Sequence, residues 1–226
     1  MRPLFDGVRK IFLGDGDPLA LPVDHLLPIL LHIRETWPSV RRITAYASPR
    51  NFKNKTEQEL IQLREAGLTQ VYMGYESGHD AVLTAIRKGG TREDIISAAD
   101  KLNASEIKIS AIVILGVAGP ALSMAHAEHT ATVINRTRPR FLNALTLMCP
   151  REYGERIAMA DFRELTIEEV LYECHRLIAG IDANGIIFRA NHVSNYLMLE
   201  GTLQKSKERL LREIDTVKGI FGKKLR

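Results

Sequence analysis

The chain has 226 residues, 26 % of them charged and 45 % hydrophobic, with a net charge of +4. No apolar run approaches the ~18 residues of a membrane span, and no signal-peptide pattern opens the chain. The basic excess sits mostly between Lys205 and Arg226. Without interleaved aromatics it does not argue for nucleic acid.

Ile11-Phe12-Leu13 is an apolar run too short for a helix, stopped by Gly14-Asp15-Gly16-Asp17-Pro18. It reads as a buried parallel strand feeding a loop. Gly14 and Gly16 lack a Cβ and let backbone approach a ligand. A solvated turn is the other reading. Asp24 is the expected N-cap of a helix through Leu26, Leu27, Leu30, Leu31 and Ile33, with Pro28 in its first turn and Trp37-Pro38 at its end. Arg42–Ala47 reads as a second strand, closed by Ser48-Pro49-Arg50. Thr56 caps a helix carrying Leu60, Ile61, Leu63 and Ala66, and Gly67 stops it.

Gln70–Tyr75 is the third strand, ending in Glu76-Ser77-Gly78. A helix with Val82, Leu83 and Ile86 follows, to Gly89-Gly90. Thr91 and Asp94 open a helix with Ile95, Ile96, Ala99 and Leu102. Ile107–Leu115 is a β-branched strand ending in Gly116–Gly119, and a helix is expected from Ser123 to Arg136. Phe141–Met148 is the fifth strand, closed by Cys149-Pro150. Thr166 caps a helix to Asp182, Ile186–Arg189 is a sixth strand, Asn191–Asn195 a polar loop, and Lys205–Thr216 the last helix.

Strand, loop and helix thus alternate, which is the pattern of a parallel α/β fold. Each strand ends in a small or polar cluster. Such loops converge on one rim in a barrel, whereas an open sheet needs them only at its switch point. The expectation is one domain over 1–226, a partial (β/α) barrel of five or six parallel strands. His126 and His129 are expected to be a solvated pair on an outer helix face. Asn191, His192, Ser194 and Asn195 are read either as lining the rim or as a self-bonded turn. Cys174 is expected in the core. Cys149 and Cys174 match no metal spacing, and a cytosolic chain with reduced thiols is the default.

Several stretches resemble the radical S-adenosylmethionine (radical SAM) enzymes in order and spacing. Phe12–Pro18 resembles their Gly-Gly-Glu-Pro-type motif after the second strand. Leu63–Leu68 with Val71–Gly78, then Val82-Leu83 and Ile86–Gly89, resemble the fourth-strand region. Ile114–Gly119 and Thr146–Pro150 resemble the ends of the fifth and sixth strands. The coproporphyrinogen-dehydrogenase-like and elongator-like branches come nearest. The resemblance covers about residues 8–155, leaving 156–226 as C-terminal helices and a rim loop.

The resemblance implies S-adenosylmethionine and a [4Fe-4S] cluster as cofactors, and a 5′-deoxyadenosyl radical that abstracts hydrogen from a substrate. It gives Gly14, Asp15, Gly16 and Asp17 to the amino group of the methionine moiety. Glu76 falls to the ribose, with capping of the next helix as the alternative. Tyr46, Ser48 and Ser110 are weaker candidates, Ser110 being also readable as a core serine. Gly116 and Gly119 bring backbone near the ligand or form a plain turn. The family's Cys-x-x-x-Cys-x-x-Cys loop has no counterpart here, and the family's first strand is missing. The chain is therefore expected to be inactive alone, either truncated or descended without the cluster, with an open edge beside Ile11–Leu13 that invites association. Two competing readings are a non-redox SAM- or nucleotide-binding barrel and an unrelated phosphate-binding barrel using Gly116–Gly119.

Overall fold

Seven strands follow chain order across one sheet: β1 (Lys10–Leu13), β2 (Arg42–Ala47), β3 (Leu68–Glu76), β4 (Lys108–Leu115), β5 (Phe141–Thr146), β6 (Ile187–Ala190) and β7 (Leu199–Thr202). These belong to a computed structural model that describes residues 7–148, 157 and 162–224. The helices are α1 (Val23–Thr36), α2 (Glu57–Glu65), α3 (Asp80–Ala85), α4 (Arg92–Ala104), α5 (Gly119–Thr137), α6 (Ile167–Gly180) and α7 (Lys207–Lys224). The β1–β2, β2–β3 and β5–β6 pairs are parallel, and β6–β7 is antiparallel. The architecture is the expected α/β fold of a partial barrel, with a strand more than foreseen. β1 is terminal in the strand order, and no described strand pairs with its outer edge.

Contacts divide the chain into two units, Met1–Gly74 with Asp94–Ala111, and Tyr75–Glu93 with Ile112–Arg226. In the first unit, Ile43, Ala45, Ala47, Val71 and Met73 alternate onto a buried sheet face. The apolar stripes of α1 (Leu26, Leu30, Ile33), α2 (Leu60, Leu63) and α4 (Ile95, Ala98, Ala99, Leu102) are buried in the same unit. Thr56 caps α2 as expected, in a reciprocal box: its hydroxyl accepts from Glu59 N at 3.2 Å, and its own N–H donates to Glu59 Oε2 at 2.7 Å. Gly67 ends that helix at φ 113°.

Two expectations about α1 are corrected. Its N-cap is Pro22, whose carbonyl accepts from His25 N and Leu26 N, and Asp24 lies in the first turn. There its charge still favours the helix dipole. Pro28 lies inside the helix, where a proline leaves the carbonyl four residues earlier without its N–H partner. Similarly, α5 starts at Gly119 rather than Ser123.

Lys101 on α4 holds the end of a short 3-10 turn, Pro49–Phe52. Its ammonium donates to the carbonyls of Phe52 at 2.7 Å, Lys53 at 3.2 Å and Lys55 at 2.8 Å. Lys101→Met is expected to destabilise the protein by about 2–3 kcal/mol, since hydrogen bonds to a charged donor carry more than neutral ones. Urea unfolding measures this, and a loss no larger than that of an exposed lysine would contradict it.

In the second unit Thr166 and Glu169 form another capping box at α6. β7 had no sequence signal: Leu-Glu-Gly-Thr is short and has one apolar residue. Its strand character comes from pairing, with Leu199 opposite Ala190 and Thr202 opposite Ile187. A Cβ on Gly201 would meet Ser206 Cβ at 2.7 Å, so the approach of the α7 start needs glycine there.

Candidate functional site

The loop after β1 is built on two successive left-handed residues, Asp15 at φ 61° and Gly16 at φ 88°. Glycine tolerates this, and for Asp15 it costs conformational energy. Asp17 Oδ2 accepts from Asn51 Nδ2 at 3.0 Å, while Asn51 Oδ1 accepts from the Ser48 N–H at 2.5 Å. One amide thus ties the loops after β1 and β2. Asp17 Oδ1 is buried and has no hydrogen-bond partner among the described residues. Lys55 donates to the carbonyls of Leu19 and Leu21, each at 2.9 Å, and holds the chain just beyond the loop. Burial lowers the Lys55 pKa, against the opposing pull of Glu59 and Asp17. The sequence reading missed Asn51 and Lys55, although Ser-x-x-Asn at 48–51 carried the signal of a small capping turn. Ser110, in β4, is 2 % exposed.

In the second unit Glu76 ends β3 in the left-handed region, at φ 59°. Its Oε1 lies 2.6 Å from Lys88 Nζ. It does not cap the next helix, where His79 holds the N-cap position. The turn that follows is pinned to α5. Ser77 Oγ lies 2.8 Å from His126 Nδ1 and accepts from His79 N at 3.0 Å, and Gly78 N donates to Thr130 Oγ1 at 2.8 Å. A Cβ on Gly78 would stand 2.4 Å from the His129 carbonyl oxygen, so only glycine fits.

The end of β4 is held from the other side. Gly116, at φ 83°, donates its N–H to Glu173 Oε1 at 2.7 Å, and Ser123 Oγ donates to Glu173 Oε2 at 2.5 Å. His126 Nε2 lies 3.6 Å from Glu173 Oε1. One proton links Ser77 Oγ and His126 Nδ1, donated by the hydroxyl or by the ring according to the imidazole tautomer. Burial pushes the His126 pKa down to about 4 and the Glu173 pKa up to about 7. Serine, histidine and glutamate here follow the order of a hydrolytic triad. All three are buried, so no substrate reaches the Ser77 hydroxyl, and the set acts as a scaffold for the two turns.

The expected solvated histidine pair is therefore corrected. His126 is buried because Ala127, Thr130 and Ala131 share its side of α5, and Glu173 and Ser77 supply its polar surroundings. His129 is exposed and stacks on His79 at 4.6 Å. In the loop after β6, His192 Nδ1 and Ser194 Oγ lie 2.8 Å apart, and Asn195 N donates to the His192 carbonyl. This self-bonded turn is also anchored to β5. Thr146 N donates to Ser194 Oγ, Thr146 Oγ1 to Asn195 Oδ1, and Asn195 Nδ2 to the Ala144 carbonyl.

Cys174 is buried as expected, with its thiol pushed up to about 12. Cys149 lies outside the described residues. Among those described, no group of three or more histidine, cysteine or acidic side chains is placed to hold a metal ion, and no helix is long and apolar enough to cross a membrane.

A family profile described as the Radical SAM superfamily matches residues 2–134. The fold is similar to that of Elp3 from the archaeon Methanocaldococcus infernus, with TM-score 0.65, 16 % identity, and coverage of 92 % of this chain and 54 % of that one. It is similar to coproporphyrinogen III oxidase HemN from Escherichia coli, with TM-score 0.63, 17 % identity, and coverage of 76 % and 39 %. HydG, a maturase of the [FeFe]-hydrogenase, gives TM-score 0.51 and 14 % identity, covering 80 % and 40 %. The chain thus spans about half or less of these proteins. No curated protein matches it.

Proposed function

Because the chain belongs to the radical SAM superfamily, we propose that it binds S-adenosylmethionine and forms the cofactor-cradling part of a radical SAM enzyme. The observation that carries this is Asp17 Oδ1, a buried carboxylate oxygen without a donor, in the loop the family uses for the methionine amino group. An ammonium is the donor such an oxygen lacks. Gly14, Asp15 and Gly16 offer backbone beside it, and Asn51 orients the carboxylate through Oδ2. Ser48 takes part through the Asn51 bridge. Ser110, buried in its strand, is a weaker member of the set.

In the second unit the resemblance gives Glu76 to the ribose and Gly116 to a backbone contact with the nucleoside. Lys88 occupies Glu76 Oε1, which leaves Oε2 to accept from a hydroxyl. Glu76→Ala is expected to weaken nucleoside binding by about 1–3 kcal/mol, the cost of a charge-assisted hydrogen bond. Calorimetry checks this, with Lys88→Ala as the companion. If both variants lose the same affinity, Glu76 serves only to hold Lys88.

A [4Fe-4S] cluster supplies the electron by which such enzymes cleave the sulfonium. The residues of this chain do not fit that cluster, because it has two cysteines and needs three thiolates. A second reading is a protein that binds S-adenosylmethionine or a nucleotide through the same loop without redox chemistry. Titration of the 226-residue chain with S-adenosylmethionine tests what the two share. Binding is expected, weakened by Asp17→Asn, and absence of binding at millimolar ligand would remove both.

A further inference from the structure

Phe12, Tyr46 and Tyr72 come onto one face of β1, β2 and β3. The register puts Tyr46 opposite Tyr72 and Phe12 opposite Thr44. The Phe12 ring stands edge-on to Tyr46 at 4.8 Å and to Tyr72 at 5.6 Å, and the two tyrosines are 6.2 Å apart. The neighbouring residues on these strands, Ile43, Ala45, Ala47, Val71 and Met73, point to the opposite, buried face. The aromatic face stays open: Phe12 is 45 % and Tyr46 is 44 % exposed. Neither phenol hydroxyl makes a hydrogen bond among the described residues.

The same face carries cations at its other end. Lys10 precedes Phe12 by two residues, about 7 Å along the strand. It is paired in register with Arg42, whose side chain shares the face of Thr44 and Tyr46. Both are exposed, and neither meets a carboxylate among the described residues. Rings at one end and unpaired cations at the other complement a flat ligand with an acidic group. An aliphatic acid would satisfy the cations but gain no ring-to-ring contact.

We propose that this face binds the substrate, and that the substrate carries a planar conjugated ring with an acidic substituent. The ring lies against Phe12, Tyr46 and Tyr72, and the anion meets Lys10 and Arg42. The proposal rests on the reading of this chain as a SAM-binding enzyme part, with Gly14–Asp17 following directly on β1.

Calorimetry on the whole chain tests it with 2-naphthoate, cyclohexanecarboxylate and neutral 2-naphthalenemethanol as probes. 2-Naphthoate is expected to bind about tenfold more tightly than cyclohexanecarboxylate, and Phe12→Leu with Tyr46→Leu to remove that advantage. Lys10→Gln with Arg42→Gln is expected to weaken 2-naphthoate and leave the neutral ring unchanged. Equal binding of the ring and cyclohexane acids, or no binding of 2-naphthoate, overturns the proposal. So does a face that instead pairs two copies of the chain, seen as a dimer that the aromatic variant dissolves. The comparison of probes uses the unaltered chain, so it decides even if a double variant fails to fold. S-adenosylmethionine titrated into the same samples separates the readings: if it binds while 2-naphthoate does not, the aromatic face alone is rejected.

Discussion

After anaerobic reconstitution with iron and sulfide, the 226-residue chain is expected to stay colourless and to release no 5′-deoxyadenosine from S-adenosylmethionine and dithionite. The reason is the donor set. A [4Fe-4S] cluster in this family needs three thiolates, and the chain has two cysteines. One of them, Cys174, is buried on α6, with a thiol pushed up to about 12 by loss of solvent and by Glu173 beside it. A thiol that resists ionisation is a poor iron ligand. The expected effect is complete loss of reductive cleavage, while bound S-adenosylmethionine stays intact. Iron analysis, the visible spectrum and chromatography of the nucleoside products measure it. A brown, cleaving protein made from these residues alone would overturn the cluster argument.

The second large effect concerns stability between pH 4.5 and 6.5. His126 titrates near 4 in the fold against an ordinary 6.5, so between those values the unfolded chain takes up a proton that the fold refuses. By itself this makes stability fall as pH drops from 6.5 toward 4. Glu173 titrates near 7 in the fold against an ordinary 4.5, so the fold keeps a proton that the unfolded chain releases. That contribution falls as pH rises from 4.5 toward 7. Between 4.5 and 6.5 the two proton counts cancel, and the pair leaves stability nearly flat.

Glu173→Gln removes one side of that balance. Its amide oxygen can still accept from Gly116, but its proton no longer depends on pH. The variant is expected to lose roughly 2 kcal/mol more than the unaltered protein between pH 6.5 and 4, because the Glu173 contribution that offsets the His126 shift is gone. Chemical denaturation at several pH values gives the slope. Parallel profiles for the two proteins would show that the His126–Glu173 pair does not titrate in this way.

Strands β1–β6 and most of their helices were legible from residues because each signal is local. Ile11–Leu13 stops at Gly14, Thr56 reaches Glu59 within one turn, and Gly67 takes the positive φ that ends α2. A carboxylate three residues from its cap needs no tertiary help to be recognised. The loop at Gly14–Asp17 was legible as a candidate for the same reason, since glycine and aspartate at a strand end are a sequence-level pattern.

Tertiary structure decided what lies far apart in the chain. β7 exists because Leu199–Thr202 pairs with β6, not because its residues favour a strand. His126 looked solvated because a helix does not reveal from its own sequence which turn will pack on it. Only folding brings it against Ser77 from the end of β3 and Glu173 from α6, where burial sets their proton affinities in opposite directions. The orphan oxygen of Asp17 and the ring face of Phe12, Tyr46 and Tyr72 arise in the same way. Composition determines how many thiolates, rings and cations the protein has, whereas strand register and helix packing determine which of them meet.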